Sequence, residues 1–349
     1  MAGSGRTKRL TQKQIAELAG VSQATVSLVL SGRTDTTMRI SESTRQRVLD
    51  LLQETAYTAD PAARMLAGQS NNLLGVFTYE PAFPNESADF YVPLLTGVES
   101  AAEELGADLL VFTSAPVVDG KRRLLQPGTR LRLADGCVLL GREMEKDELR
   151  ELVELDYPFV AVGRRDGDER IPYVGVDYAT AVADLTRQAL TLGHRRFLYL
   201  RLPYQAESTQ DRLAGFIEAL STFGEAVHHD VVESSSLPQA IAAIDAHTPT
   251  VVLIEDPAQV TAVGDALERT GVGVPDGISL IALSGRENGA AGGRDVTRLV
   301  APRTVLGATA VRLLWKLINE PGAVSAEERR VMLDCQIATG STLAGPSGS

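Results

Sequence analysis

Thr11 to Gly32 reads TQKQIAELAGVSQATVSLVLSG, two short helices joined by a tight turn. Thr11 caps the first helix, and Gln14 three residues on completes a capping box. Ile15, Leu18 and Ala19 recur at helical spacing and are expected to share the inner face. Gly20 ends that helix, because the reversal needs a left-handed backbone that glycine adopts cheaply. Ser22 caps the second helix, which runs on to Leu30 and stops at Gly32. Val21, Val26 and Leu30 give it an inner face, leaving Gln23, Ala24, Thr25, Ser27 and Leu28 outside. Such a pair is either a helical hairpin that only packs a core or a helix-turn-helix whose second member enters a DNA major groove.

Charge favours the second. Residues 1–48 carry eight basic side chains against three acidic ones, a surplus of +5, whereas the whole chain is −11. A basic head on an acidic body suits DNA phosphates. A third helix follows, capped by Ser41, with Val48, Leu49, Leu51 and Leu52 as its apolar stripe. Then comes a linker, YTADPAARMLAGQS, in which Asp60 and Pro61 are good starting residues for a helix running to Leu66. That helix is too short to persist alone.

AELAGVSQATVSLVLSG, then SESTRQRVLDLLQETAY, then DPAARML closely resembles the DNA-binding head of the lactose-repressor (LacI-type) family of bacterial transcription factors. The resemblance implies a sequence-specific regulator, most simply a repressor, that binds a double-stranded, pseudo-palindromic operator as a homodimer. Thr11, Ser22 and Ser27 are then placed for phosphates and Gln23, Ala24 and Thr25 for bases, with Gln12, Leu28 and Ser31 completing the DNA-binding set. It also implies a hinge helix in the minor groove, with Leu66 as the wedge, Ala63 at the small contact site and Arg64 beside it. Three features depart from the family pattern. Leu28 stands where a base-reading arginine is usual, Ser31 replaces a frequent asparagine, and the loop Arg33–Ile40 is several residues longer.

The 349 residues suffice for two or three domains. No apolar run approaches the roughly 18 residues of a membrane helix, and MAGSGRTKRL has no signal-peptide core, so a cytoplasmic protein without a membrane partner is expected. Cys137 and Cys335 read as free buried thiols. Two cysteines cannot complete a zinc site, and His228-His229 reads better as a strand end or solvated loop than as a metal pair. No metal or cofactor is expected.

From Leu73 the pattern alternates between buried strands and helices, which means parallel sheets covered on both faces. LLGVFTY, ADLLVFTSA, DGCVLLG, FVAVGR, FLYLRL, TVVLIED and ISLIAL read as strands, too many for one compact sheet. The expected fold is an all-α helix-turn-helix head (1–56), a hinge (57–71) and an α/β two-lobe body like the periplasmic binding proteins (72–345). The resemblance divides the body into lobe one, about 72–176 and 299–326, and lobe two, about 177–298 and 327–345.

Ligands of open α/β sheets sit beyond the carboxyl ends of the strands. That draws attention to Tyr79, Asp177, Asp256 and Ser284. Phe90 and Tyr91 stand where the family commonly carries an aromatic pair that packs on a sugar, and Arg212 in RLAGF falls on its ligand-anchoring arginine. A guanidinium there donates paired hydrogen bonds to hydroxyls or a carboxylate. Each has a plainer role available: Phe90 as core, Asp177 as a helix cap. Leu283-Ser284-Gly285 replaces the family's phenylalanine and two aspartates, and Tyr178 a common asparagine. The effector is therefore a small molecule of the sugar or related class, with its sense, inducer or corepressor, open. A two-lobe binding protein without regulatory role would lack the basic head. An enzyme would need a nucleophile elbow, phosphate loop or metal cluster, and the sequence has none.

Overall fold

The computed structural model describes residues 10–31, 40–55, 70–80, 88–118, 121–126, 129–224, 226–285 and 294–347. They belong to two compact units that divide between Asn71 and Asn72.

In the first unit, α1 (Gln12–Ala19), α2 (Gln23–Ser31) and α3 (Glu42–Glu54) close over one small core. The capping box is formed: Thr11 Oγ1 accepts from Gln14 N at 3.3 Å, and Gln14 Oε1 accepts from Thr11 N at 2.8 Å. Gly20 turns the chain with φ +64°. Ser22 Oγ accepts from Thr25 N and Ser41 Oγ from Thr44 N, so each later helix also starts on a side-chain cap. The core consists of Ile15, Ala16, Ala19, Val26, Val29 and Val48. Leu18 does not join it; it is 61% exposed. The inner arc of α1 instead runs through Ile15, Ala16 and Ala19, whose small alanines admit α2 closely. Leu49 likewise points outward, one residue and about 100° round the helix from Val48. The hinge residues Ala63, Arg64 and Leu66 and most of the loop 33–40 lie outside the described residues.

The body opens with β1 (Leu73–Thr78), α4 (Ala88–Glu104), β2 (Asp108–Phe112) and a small hairpin, β3 (Val117–Val118) with β4 (Lys121–Arg122). Next come β5 (Gly136–Leu140), α5 (Lys146–Glu154), β6 (Phe159–Val162), β7 (Tyr173–Asp177), α6 (Tyr178–Thr191) and β8 (Arg196–Arg201). The chain continues as α7 (Glu207–Ser221), β9 (His228–Glu233), α8 (Leu237–His247), β10 (Val251–Ile254), α9 (Pro257–Arg269), β11 (Ser279–Ala282) and β12 (Thr297–Val300). It ends with α10 (Arg303–Asn319), β13 (Arg330–Asp334) and β14 (Gln336–Ala338).

Two six-stranded sheets result, ordered β13-β7-β6-β5-β1-β2 and β14-β12-β11-β10-β8-β9. The first is wholly parallel; in the second, β14 alone runs antiparallel, against β12. The chain crosses between the sheets after Asp177, after Val300 and at Cys335. This differs from the expected lobe limits. VMLDCQIA is two strands, one in each sheet, so Arg330–Asp334 belongs with lobe one and β12 with lobe two. His228-His229 opens the edge strand β9.

Within each lobe two helices cross so closely that only glycine fits. A Cβ on Gly97 of α4 would stand 1.9 Å from Thr304 O, and one on Gly307 of α10 would stand 2.1 Å from Leu94 O. Gly215 of α7 meets the backbone of Ala179 in α6 in the same manner. These contacts lock α10 to lobe one and α7 to lobe two, which fixes where the residues at their starts can reach.

Candidate DNA-binding helix and effector cleft

With Val26 and Val29 buried, α2 turns Gln23 and Ala24 to solvent and leaves Thr25, Ser27 and Leu28 half-exposed. Gln23, Ala24, Ser27 and Leu28 follow one another at helical spacing along a single stripe. Gln23 Nε2 donates to Gln12 Oε1 at 3.4 Å, which ties the start of α2 to the start of α1. Thr25 Oγ1 lies 2.9 Å from Ser22 Oγ. Thr11 is exposed at the start of α1. Ser31 ends α2, though its side chain falls outside the described ones. Neither α1 nor α2 carries an acidic residue in its first turn, so both positive helix ends are free of competing charge.

In the body, segments that follow strands of the two sheets meet between the lobes, and the candidate residues do different things there. Tyr79 is 4% exposed, packs edge-to-face on Phe77 at 4.9 Å, and has its hydroxyl raised well above its usual pKa by burial and by Glu148. It belongs to the lobe-one core. Tyr91 is buried as well, and its hydroxyl donates to the Glu80 carboxylate, which also accepts from Arg142 N at 3.0 Å. Asp177 accepts from Thr180 N at 3.0 Å and so caps α6. Asp256 caps α9 through Ala258 N, also at 3.0 Å.

Phe90 and Ser284 come together at Arg303, which the sequence did not single out, whereas Arg212 packs on Tyr178. Arg212 lies in the second turn of α7, which starts at Glu207. It is 8% exposed, donates to Ser208 O at 3.3 Å, and stacks on Tyr178 with its guanidinium carbon 3.9 Å from the ring centre. Arg303, the first residue of α10, is 6% exposed. It donates to Gly285 O at 2.8 Å and Ser284 Oγ at 3.2 Å, and faces the half-buried Phe90 at 5.4 Å. Cys335 lies within reach of both cations. Burial pushes its thiol up to about 11, while Arg212 and Arg303 pull the other way. A buried cation directly after Pro302 carries no periodic signal, which is why Arg303 escaped sequence reasoning.

Along another part of the cleft the lobes are joined by ion pairs between the segment after β6 and the start of α7. Arg164 makes a two-pronged contact with Asp211, at 2.9 and 2.7 Å, and also pairs with Asp166. Arg165, its side chain only 4% exposed, bonds Glu207 at 3.0 Å together with the carbonyls of Gly141 and Val162. Burial pulls Arg165 below its usual pKa, and Glu207 is the largest influence opposing this. Glu143 accepts from Gln205 N at 2.9 Å beside them.

This architecture has relatives. Residues 82–336 match the family described as periplasmic binding proteins and sugar binding domain of LacI family, and residues 11–60 match bacterial regulatory proteins, lacI family. The chain belongs to the LacI family. It is 31% identical over 251 residues to the maltose regulon regulatory protein MalI of Escherichia coli, covering 70% of each chain. Its fold is similar to the lac repressor dimer bound to operator and the anti-inducer ONPF, with TM-score 0.75 and 20% identity over 97% of this chain and 100% of that one. A CelR–cellobiose complex is similar too, at TM-score 0.65 and 23% identity over 96% of this chain and 100% of the other. This LacI-family chain is thus a DNA-binding transcriptional regulator with a sugar-binding type of body. Among the described residues, no helix is long and apolar enough to cross a membrane.

Proposed function

We propose that the protein is a cytoplasmic repressor that binds a pseudo-palindromic operator as a homodimer and changes its operator affinity when a small molecule enters the body's cleft. The observation that carries this is the outward-facing stripe of exposed Gln23 and Ala24 and half-exposed Ser27 and Leu28 on a helix whose start is anchored to α1. One such helix reads too few base pairs for operator-level specificity, which is the reason for a dimer. Leu28 offers apolar contact, for instance to a thymine methyl. The hinge 57–71, with Leu66, Ala63 and Arg64, then serves the minor groove. Binding is the role that the described carboxylates suit: Asp177 and Asp256 cap helices, and Asp211 and Glu207 pair with arginines. The solved relative bound to cellobiose supports a sugar or a related metabolite as effector.

The test is fluorescence anisotropy with DNA from upstream of the protein's own gene. Palindromic DNA is expected to bind far more tightly than scrambled DNA, and binding is expected to weaken about 10³-fold or more between 50 and 200 mM salt if six or more phosphates are contacted. Equal affinity for both sequences would overturn the reading.

A further inference from the structure

We propose that the cleft takes an anion: a small molecule bearing a phosphate or a carboxylate, held between Arg212 and Arg303. This rests on the reading of the cleft as the effector site. Both arginines are more than nine-tenths buried, and neither meets a carboxylate among the described residues. Their partners are two carbonyls, the Ser284 hydroxyl and the faces of Tyr178 and Phe90. In each, Nε is buried with no hydrogen-bond partner. A guanidinium has five N–H donors, and a buried charge without a counter-charge is costly.

Several of the surrounding carboxylates are already engaged among the described residues. Glu80 is held by Tyr91 and Arg142 N, Asp177 by Thr180 N, Glu207 by Arg165 and Asp211 by Arg164. Glu255 accepts from Tyr199 Oη and Leu202 N, both at 2.7 Å. A neutral polyol needs acceptors for its hydroxyl protons, and here several carboxylates already spend acceptor sites on protein donors. What the cleft has to spare is cationic donors, the complement of an acceptor-only, negatively charged group. Exposed Arg142, stationed between Phe90 at 5.8 Å and Tyr204 at 5.5 Å, adds positive charge at the mouth.

The two cations also come from opposite lobes. Arg212 rides on α7 of lobe two, and Arg303 starts α10, which is locked to lobe one through Gly97 and Gly307. Cys335, where the chain makes its last crossing, feels the charges of both arginines and of Asp177. An anion bridging the two guanidiniums therefore draws the lobes together at their hinge. It binds the closed body better than the open one, and that difference is what a ligand needs to shift a two-state protein.

The experiment is a thermal-shift and calorimetric titration of the full-length protein at fixed ionic strength. The probes are inorganic phosphate, glucose, galactose, their 6-phosphates, glucuronate and galacturonate. The anionic probes are expected to raise Tm and the parent sugars to have no effect; which anionic arm responds separates phosphate from carboxylate as the source. Arg303→Met, by removing an unpaired buried charge, is expected to raise Tm without ligand and to weaken the responding anion roughly tenfold or more. Arg303→Lys is expected to keep part of the response. A merely structural arginine would instead lower Tm in the Met variant and leave the anion response in place. Binding of a neutral sugar with unchanged affinity in Arg303→Met, or no response to any anion, overturns the proposal. Operator binding is measured on the same samples. A wild-type protein that binds operator but responds to no anion sinks this proposal alone, whereas absent operator binding sinks the regulator reading.

Discussion

Removing the Glu207 carboxylate isolates what holds the lobes together. In Glu207→Ala, Arg165 keeps only backbone carbonyls: Gly141 at 2.8 Å, Val162 at 3.0 Å and Arg164 at 3.2 Å. Its side chain is 4% exposed and that of Glu207 11%, so little water reaches the orphaned charge while the lobes stay closed. Taking one partner from a buried pair costs about 3–5 kcal/mol. Opening of the cleft lets water in and caps the loss, so the lower end, about 3 kcal/mol, is expected. The neighbouring contact sets the scale. Arg164 and Asp211 are 25% and 18% exposed, and Arg164 retains Asp166, so Asp211→Ala should cost only about 1 kcal/mol. The assay is urea unfolding followed by Trp315, the only tryptophan of the chain, which packs against the lobe-one core and so reports on the body. At a few °C per kcal/mol, Glu207→Ala should also lower Tm by roughly 6–12 °C. Arg165→Met combined with Glu207→Leu should recover most of the loss, since a dry apolar pair replaces the ion pair. A Glu207→Ala protein as stable as wild type, or a double variant worse than the single one, would refute the reasoning.

Other perturbations test other parts. In the head, Ile15→Ala should cost about 2–5 kcal/mol, while Leu18→Ser, at a site 61% exposed, should stay within about 0.5 kcal/mol, as thermal unfolding of the two variants will show. His194 is buried between Thr250 Oγ1 at 3.0 Å and Ala344 O at 2.7 Å, and burial lowers its pKa. A histidine held neutral in the fold contributes stability that is complete above its unfolded pKa of about 6.5 and is lost as pH falls below it. The urea midpoint should therefore drop below pH 6.5, and less steeply in His194→Gln; parallel pH profiles would discount the residue. Leu66→Ala should weaken operator binding with ligand binding to the body unaffected, if Leu66 is the proposed wedge in the minor groove. Equal operator affinity would make 57–71 a tether. Light scattering at micromolar concentration should give a dimer, the assembly whose two-fold symmetry a pseudo-palindromic operator mirrors; a monomer would contradict that reading.

Caps and periodicity made much of the fold legible. Thr11, Ser22 and Ser41 mark helix starts through local hydrogen bonds, and the buried strands are short apolar runs that no surface element imitates. Legibility failed where tertiary context decides. Ala206 caps α7 with no side-chain hydrogen bond, so nothing local announces the turn before Arg212. β9 is an edge strand of mostly exposed residues, HHDVVE, without an apolar face to reveal it. Asp334 and Gln336 lie in different sheets, paired to β7 and β12 respectively, a switch within one short apolar run that no local signal marks. Leu18 was misplaced because apolar spacing counts leucine above alanine, whereas close helix packing selects Ala16 and Ala19. The cleft was half legible. Arg212 stood out through its motif, whereas Tyr79 shows that the residue ending a strand turns as readily into the core as toward a ligand.

The most direct test is an anisotropy titration of the full-length protein on operator DNA, with and without the molecule that binds its cleft, for wild type and Arg212→Ala. The account predicts that ligand changes wild-type operator affinity by roughly 5–150-fold, the usual size of such coupling, and that the ratio collapses toward one in the variant. A wild-type affinity indifferent to a cleft-bound ligand, or a variant that responds as wild type does at the same concentration, would contradict it.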